Sequence, residues 1–232
     1  MRVMLFGDSH LAALKNGLAQ VAVPDGVEVS FWGTPGNRFR NISWRDGQIV
    51  PDDARTAEAF ARFGGQGLTR LDPADYDAVV FVGARIRPGA VLPDLLHCLA
   101  HPTRHLTPPY MGLVLAEHFL QHTTYQMACN MARDGKTRVL MNMISLETDG
   151  KSKKPRQYQI ARGASHDHVA LLWDITREIL AQDDMTFIAQ PLDTVVDGFY
   201  TDARYGVEGE DAVHKNADYG ARILAEIFAA LA

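Results

Sequence analysis

The sequence predicts an α/β fold, a mostly parallel sheet with helices on both faces. Three observations predict it. Five short apolar runs are spread along the chain. Helical patterns separate them. Several of the runs end at a glycine or a turn, as buried parallel strands do.

Each element follows in order. Val3 to Phe6 is the first strand. His10 to Gln20 reads as a helix, with Leu11, Leu14 and Leu18 at helical spacing and Asp8 or Ser9 at its N-terminal boundary. Val27 to Trp32 is the second strand, closed by the turn Gly33-Thr34-Pro35-Gly36-Asn37. Residues 38–76 are mixed, with a helix expected over Asp52 to Phe63. Tyr76 to Gly83 is the third strand, and Arg87 to Pro93 is loop-like. Met111 to Arg133 carries one long helical pattern. Arg138 to Ile144 is the fourth strand, and a polar, basic connection covers 147–165. His168 to Ala181 is a helix with Leu171, Leu172, Ile175 and Ile179 on one face. Met185 to Ala189 is the fifth strand. The last helix, Ala217 to Leu231, buries Ile223, Leu224, Ile227, Phe228 and Leu231, with Asn216 as its N-cap.

Composition narrows the function. The 232 residues suit a single domain, 1–232, and there is neither an internal repeat nor a low-complexity tract. The net charge of −5 argues against a general nucleic-acid surface. The basic cluster Lys151, Lys153, Lys154 and Arg156 reads as a solvated loop. Cys98 and Cys129 form no disulfide framework and read as buried thiols. No run approaches the roughly 20 apolar residues of a membrane span. With no secretory signal visible, a cytoplasmic location is the expectation.

In such a sheet, ligands bind beyond the carboxyl ends of the strands. Ser9, Gly36, Gly83 and Asn142 all fall at or just past a strand end. Ser9, in Gly7-Asp8-Ser9-His10, follows the first strand. Asp211-Ala212-Val213-His214 precedes the last helix. A serine hydroxyl is a weak nucleophile unless a base takes its proton and a third group orients that base. His214 and Asp211 come from one turn and supply such a pair.

These motifs resemble those of the SGNH (GDSL-type) hydrolases, and the resemblance spans the whole chain. It implies a three-layer α/β/α fold around a doubly wound, five-stranded parallel sheet of flavodoxin-like type. It implies Ser9 as nucleophile, His214 as base and Asp211 as orienter, with no metal or other cofactor. Gly36 matches the glycine whose N–H helps hold the oxyanion, together with the Ser9 N–H. One motif departs: where the family has Gly-x-Asn, this chain has Gly83-Ala84-Arg85. Arg85 could donate to the oxyanion, hold an anionic substrate group or form a surface ion pair. Asn37 and Asn142 are other candidates for the missing amide.

The expected activity is hydrolysis or transfer of the acyl group of a small-molecule or saccharide ester through an acyl-serine. A non-catalytic carbohydrate- or lipid-binding module on the same fold is the alternative. Asp8 and His10 also match the Asp-x-His that opens metal-dependent phosphoesterases, but the further motifs of that class are missing. A phosphoesterase using Asp8 and His10 stays as the weaker alternative, and the two residues are separately candidates for substrate contacts. Glu117, His118 and His122 share a helix face, and a structural or substrate-lining role is expected rather than a metal. His166 and His168 are expected to cap a helix. Trp32, Phe39 and Trp44 are core candidates. A sugar-stacking platform is the other role open to one of them, Trp32 in particular.

Overall fold

The structure is a computed structural model that describes residues 1–64, 67–101, 103–104, 106–151 and 160–232. Lys153, Lys154 and Arg156 of the basic cluster lie outside them. The order along the chain is β1 (Arg2–Gly7), α1 (Leu11–Gly17), β2 (Glu28–Gly33), β3 (Ile42–Arg45), β4 (Gln48–Pro51), α2 (Ala54–Gly64) and β5 (Ala78–Gly83). Then come α3 (Leu92–Ala100), α4 (Pro108–Leu120), α5 (Thr123–Asp134), β6 (Arg138–Met143), α6 (His166–Gln182) and β7 (Met185–Phe187). The short strands β8 (Val195–Val196) and β9 (Tyr200–Thr201) precede α7 (Ala217–Leu231).

The central sheet has five strands in the order β2-β1-β5-β6-β7, all parallel. These are the five strands expected from the apolar runs. Alternate residues of each strand face opposite ways. Met4, Phe6, Val79, Phe81, Val139 and Met141 enter one buried cluster with α2 to α6. Val3, Leu5, Ala78, Val80, Val82 and Leu140 enter a second with α1 and α7. The sheet is thus the middle of three layers. The chain leaves β1 toward β2, then crosses back to β5. That reversal opens a crevice at the carboxyl ends of β1 and β5.

Helices α1 and α7 touch backbone to backbone. A Cβ on Gly220 would lie 1.9 Å from the Ala13 carbonyl oxygen, and one on Gly17 would lie 2.5 Å from that of Ala217. Glycine at both positions lets the first and last helices meet.

Several local expectations change. The pattern over 111–133 is two helices, because His122 takes an extended conformation (φ −98°, ψ 119°). Tertiary contacts override the helical period there: the Thr124 hydroxyl donates to the Ala84 carbonyl and Tyr125 is buried. The stretch after Arg87 is a loop only as far as Val91, where α3 begins. The first helix ends at Gly17 and continues as a short 3₁₀ turn. The β3–β4 hairpin, in a stretch read only as mixed, pairs Ser43 with Val50 and Trp44 with Ile49. Asn216 caps α7, accepting from the Tyr219 N–H at 3.1 Å. Ser165 caps α6 in a reciprocal box with His168, while the His166 ring reaches the Val195 carbonyl. Cys98 is half-buried, Cys129 is buried, and both are free. Among the described residues no helix is long and apolar enough to cross a membrane.

Candidate active site

The turn after β1 is fixed by Asp8, which is buried. Its Oδ1 accepts the His10 N–H and its Oδ2 accepts the Arg85 N–H, both at 3.1 Å. The second bond ties the β1 turn to the β5 turn. Gly83 makes this possible. It has φ +66°, and a Cβ there would lie 2.7 Å from Asp8 Oδ1 and 2.8 Å from the His10 ring. Ala84 and Arg85 follow at φ +47° and +62°, which is strained for residues with side chains. The Asp8 carboxylate and the Thr124 hydroxyl hold that turn.

Ser9 stands at the head of α1, half-buried. Its Oγ is 2.7 Å from His214 Nε2. His214 Nδ1 is 2.7 Å from Asp211 Oδ2. Asp211 Oδ1 accepts the Val213 and His214 N–H groups at 2.8 and 3.0 Å. Partial burial pulls the Asp211 carboxyl upward. The hydrogen bonds from the His214 ring and the two amides outweigh it and hold the group well below the usual carboxylate range. A charged Asp211 keeps a proton on His214 Nδ1 and leaves Nε2 free to accept one.

The turn carrying Asp211 and His214 is moored to its neighbours. The Thr148 N–H donates to Ala212 O, and the Asn216 N–H to Tyr205 O. Beneath it the buried Gln190 is satisfied by Leu146, Thr194 and Thr201. Lys215, the next residue, is almost wholly buried and donates to the Ala212 and Val213 carbonyls. Burial lowers its ammonium to about 7. Lysine is ordinarily a surface residue, so nothing in the sequence marked it.

His10 stacks on His214, ring centroids 5.1 Å apart. Burial drives His10 down to about 4, only partly opposed by Asp8, so it is neutral beside His214. Both Asp8 oxygens are engaged by backbone amides, and no group of three potential ligands gathers among the described residues. That arrangement does not suit a metal held by Asp8 and His10. His118 Nε2 contacts the Arg87 carbonyl at 3.1 Å, His122 packs edge-on against it, and Glu117 is exposed on the same helix.

A cavity of about 470 Å³ opens beside Ser9, lined in part by Asn16, Glu208, His214, Lys215 and Asn216. Gly36 begins a 3₁₀ turn after β2 with φ +71° and open space where a Cβ would lie. The first N–H groups of such a turn have no partner within it. Asn37 is exposed beside it.

Two candidates are corrected. Asn142 is buried in β6 and its amide donates to Ile188 O at 3.0 Å, so it is spent on the sheet edge. Trp32 is fully buried against Phe6 and Phe60, with its indole N–H on Leu68 O, and offers no face to a sugar. Arg85 forms no side-chain hydrogen bond or ion pair among the described residues. It lines a second cavity with Arg40 and Arg87, residues the sequence did not single out. Only the Arg85-x-Arg87 spacing after β5 hinted at it.

No protein-family model and no curated protein matches the sequence. Solved structures resemble the fold. One is a proposed SGNH hydrolase from Slackia heliotrinireducens, TM-score 0.49 and 16% identical over 97% of each chain. Other structures similar to this chain are named as an acylhydrolase and a GDSL-like lipase. A carbohydrate acetylesterase from Sinorhizobium meliloti aligns over 100% of this chain and 99% of its own, at 14% identity and TM-score 0.39. The periplasmic domain of a Salmonella ser. Paratyphi A lipopolysaccharide acetyltransferase aligns over 99% and 83%, at 11% identity and TM-score 0.47. At these identities the likeness concerns the fold alone.

Proposed function

We propose that this chain is a serine-dependent acyl-ester hydrolase or acyltransferase of SGNH type, with Ser9 as nucleophile, His214 as general base and acid, and Asp211 as orienter. One observation carries the reading: the unbroken relay from Ser9 Oγ through both ring nitrogens of His214 to Asp211, each step 2.7 Å. Ser9 Oγ attacks the ester carbonyl carbon while its proton passes to His214 Nε2. The Ser9 and Gly36 N–H groups face the developing oxyanion, and Arg85, at the rim of β5, supplies a third donor. Collapse breaks the carbon–oxygen bond, and His214 returns the proton to the departing alcohol. The acyl-serine then passes its acyl group to water or to another hydroxyl. The Ser9 cavity is lined mostly by apolar groups, with polar side chains at Asn16, Glu208 and Asn216, and suits a small ester.

Covalent labelling tests the reading. A fluorophosphonate probe should label the protein once, with the adduct mapped to Ser9 and absent from Ser9→Ala and His214→Ala. Labelling elsewhere, or none in folded protein, would overturn it and favour a non-catalytic binding role.

A further inference from the structure

The second cavity, of about 420 Å³, is lined by Arg40, Arg85, Arg87, Gln121 and His122 over an apolar floor of Phe39 and Ile42. Among the described residues no Asp or Glu lines it. None of the three guanidinium groups has a hydrogen-bond or ion-pair partner among the described residues. Elsewhere in the chain Arg45 is paired with Asp52 at 2.6 Å and Arg222 with Asp193 at 2.7 Å. The nearby carboxylate, Asp8, is taken by two backbone amides. Burial and the neighbouring Arg40 and Arg87 charges lower the Arg85 guanidinium, with Asp8 opposing them in part. Three like charges without a counter-ion cost stability, in a chain whose net charge is −5. They are accounted for if the counter-ion arrives with a ligand.

Position says which ligand. Arg40 ends the 3₁₀ turn that Gly36 begins, and Arg85 and Arg87 belong to the segment after β5. Those two loops flank β1, whose end carries Ser9. Arg85 N–H is bonded to Asp8, the neighbour of Ser9, and the Arg87 carbonyl is held by His118. We infer that this cavity is a subsite for an oxyanion group, a phosphate, sulfate or carboxylate, carried by the ester at a distance from its scissile carbonyl. Guanidinium forks match such groups with paired, charge-assisted hydrogen bonds. As a substrate subsite the inference rests on Ser9 being the nucleophile; as an anion site it stands alone.

Two measurements separate those cases. Inorganic phosphate is titrated calorimetrically, at low salt, into Ser9→Ala protein and into the same protein carrying Arg40→Gln and Arg87→Gln. Both arginines are exposed, so the fold should survive, and a thermal melt checks it. Saturable one-to-one binding should weaken about tenfold or more in the Gln variant, and Arg40→Lys with Arg87→Lys should restore it only partly. In the Ser9 protein, two esters with the same acyl group and alcohols of matched size, one neutral and one phosphorylated, are then compared. The phosphorylated-to-neutral ratio of kcat/KM should fall about tenfold or more on Arg40→Gln with Arg87→Gln, through KM. Absence of saturable phosphate binding, or binding indifferent to the two substitutions, overturns the anion site. An unchanged ratio overturns its role toward substrate. Turnover of neither ester, with arginine-dependent phosphate binding intact, sinks the esterase reading and supports the anion site.

Discussion

Ser9 Oγ and His214 Nε2 lie 2.7 Å apart across 205 residues of chain. The first strand delivers one and the turn before the last helix delivers the other. The glycine contacts between α1 and α7 bring the two ends together.

That pair should act as a unit. Ser9→Ala and His214→Ala are each expected to remove nearly all ester turnover, and the double variant should be little worse than either. Steady-state kinetics on a chromogenic acetyl ester checks this. Additive losses would mean that the two residues do not share one step.

Asp211→Asn is expected to lower kcat by roughly 10³-fold or more. An amide would put its N–H₂ toward His214 Nδ1 and favour the tautomer that cannot take the serine proton. The substitution also weakens the bonds from the Val213 and His214 amides. Loss of activity with an unchanged melting temperature would show the cost to be in the imidazole alone. Retention of kcat would remove Asp211 from the relay.

His10 predicts a pH effect on stability. Its folded pKa, about 4, lies below the ordinary 6.5 because the ring is buried. Between those values the unfolded chain binds a proton that the folded one does not. Stability therefore falls as pH drops from 6.5 to 4, by about 3 kcal/mol at most. His10→Phe should flatten that stretch of the curve. Urea unfolding of both proteins across the range decides it, and parallel curves would be the failing result.

Arg85→Ala should lower kcat by about 10²-fold with little change in KM, as loss of an oxyanion donor does. Arg85→Lys should rescue poorly, since an ammonium lacks the planar fork. A raised KM confined to anionic esters, with kcat intact, would instead assign Arg85 wholly to the neighbouring anion site.

The sheet was legible because its central strands β1, β5 and β6 are apolar runs buried on both faces, a pattern that survives without tertiary information. The Ser9 and His214 ends were legible because strand ends converge on one rim. What the sequence hid depends on direction. Trp32 and Asn142 sit at the expected rim positions, but Trp32 points into the aromatic cluster around Phe6 and Asn142 bonds Ile188. A strand's period gives the face of a residue and not its partner. The break at His122 goes with the bond from the Thr124 hydroxyl to Ala84, 40 residues before Thr124, which a local pattern cannot register. Arg40 and Arg87 come from separate loops and meet only in the folded chain.

The far-apart origin of Ser9 and His214 also governs when the site comes into being. On the ribosome Ser9 emerges early, and His214 follows 205 residues later. The Ser9–His214 pair therefore cannot form until α7 can dock on α1, and such late long-range closure is slow. The same layout makes the Ser9–His214 pair depend on an intact C-terminal segment. One proteolytic cut between β7 and Asp211, followed by release of the tail, would leave the sheet and Ser9 behind and carry His214 away.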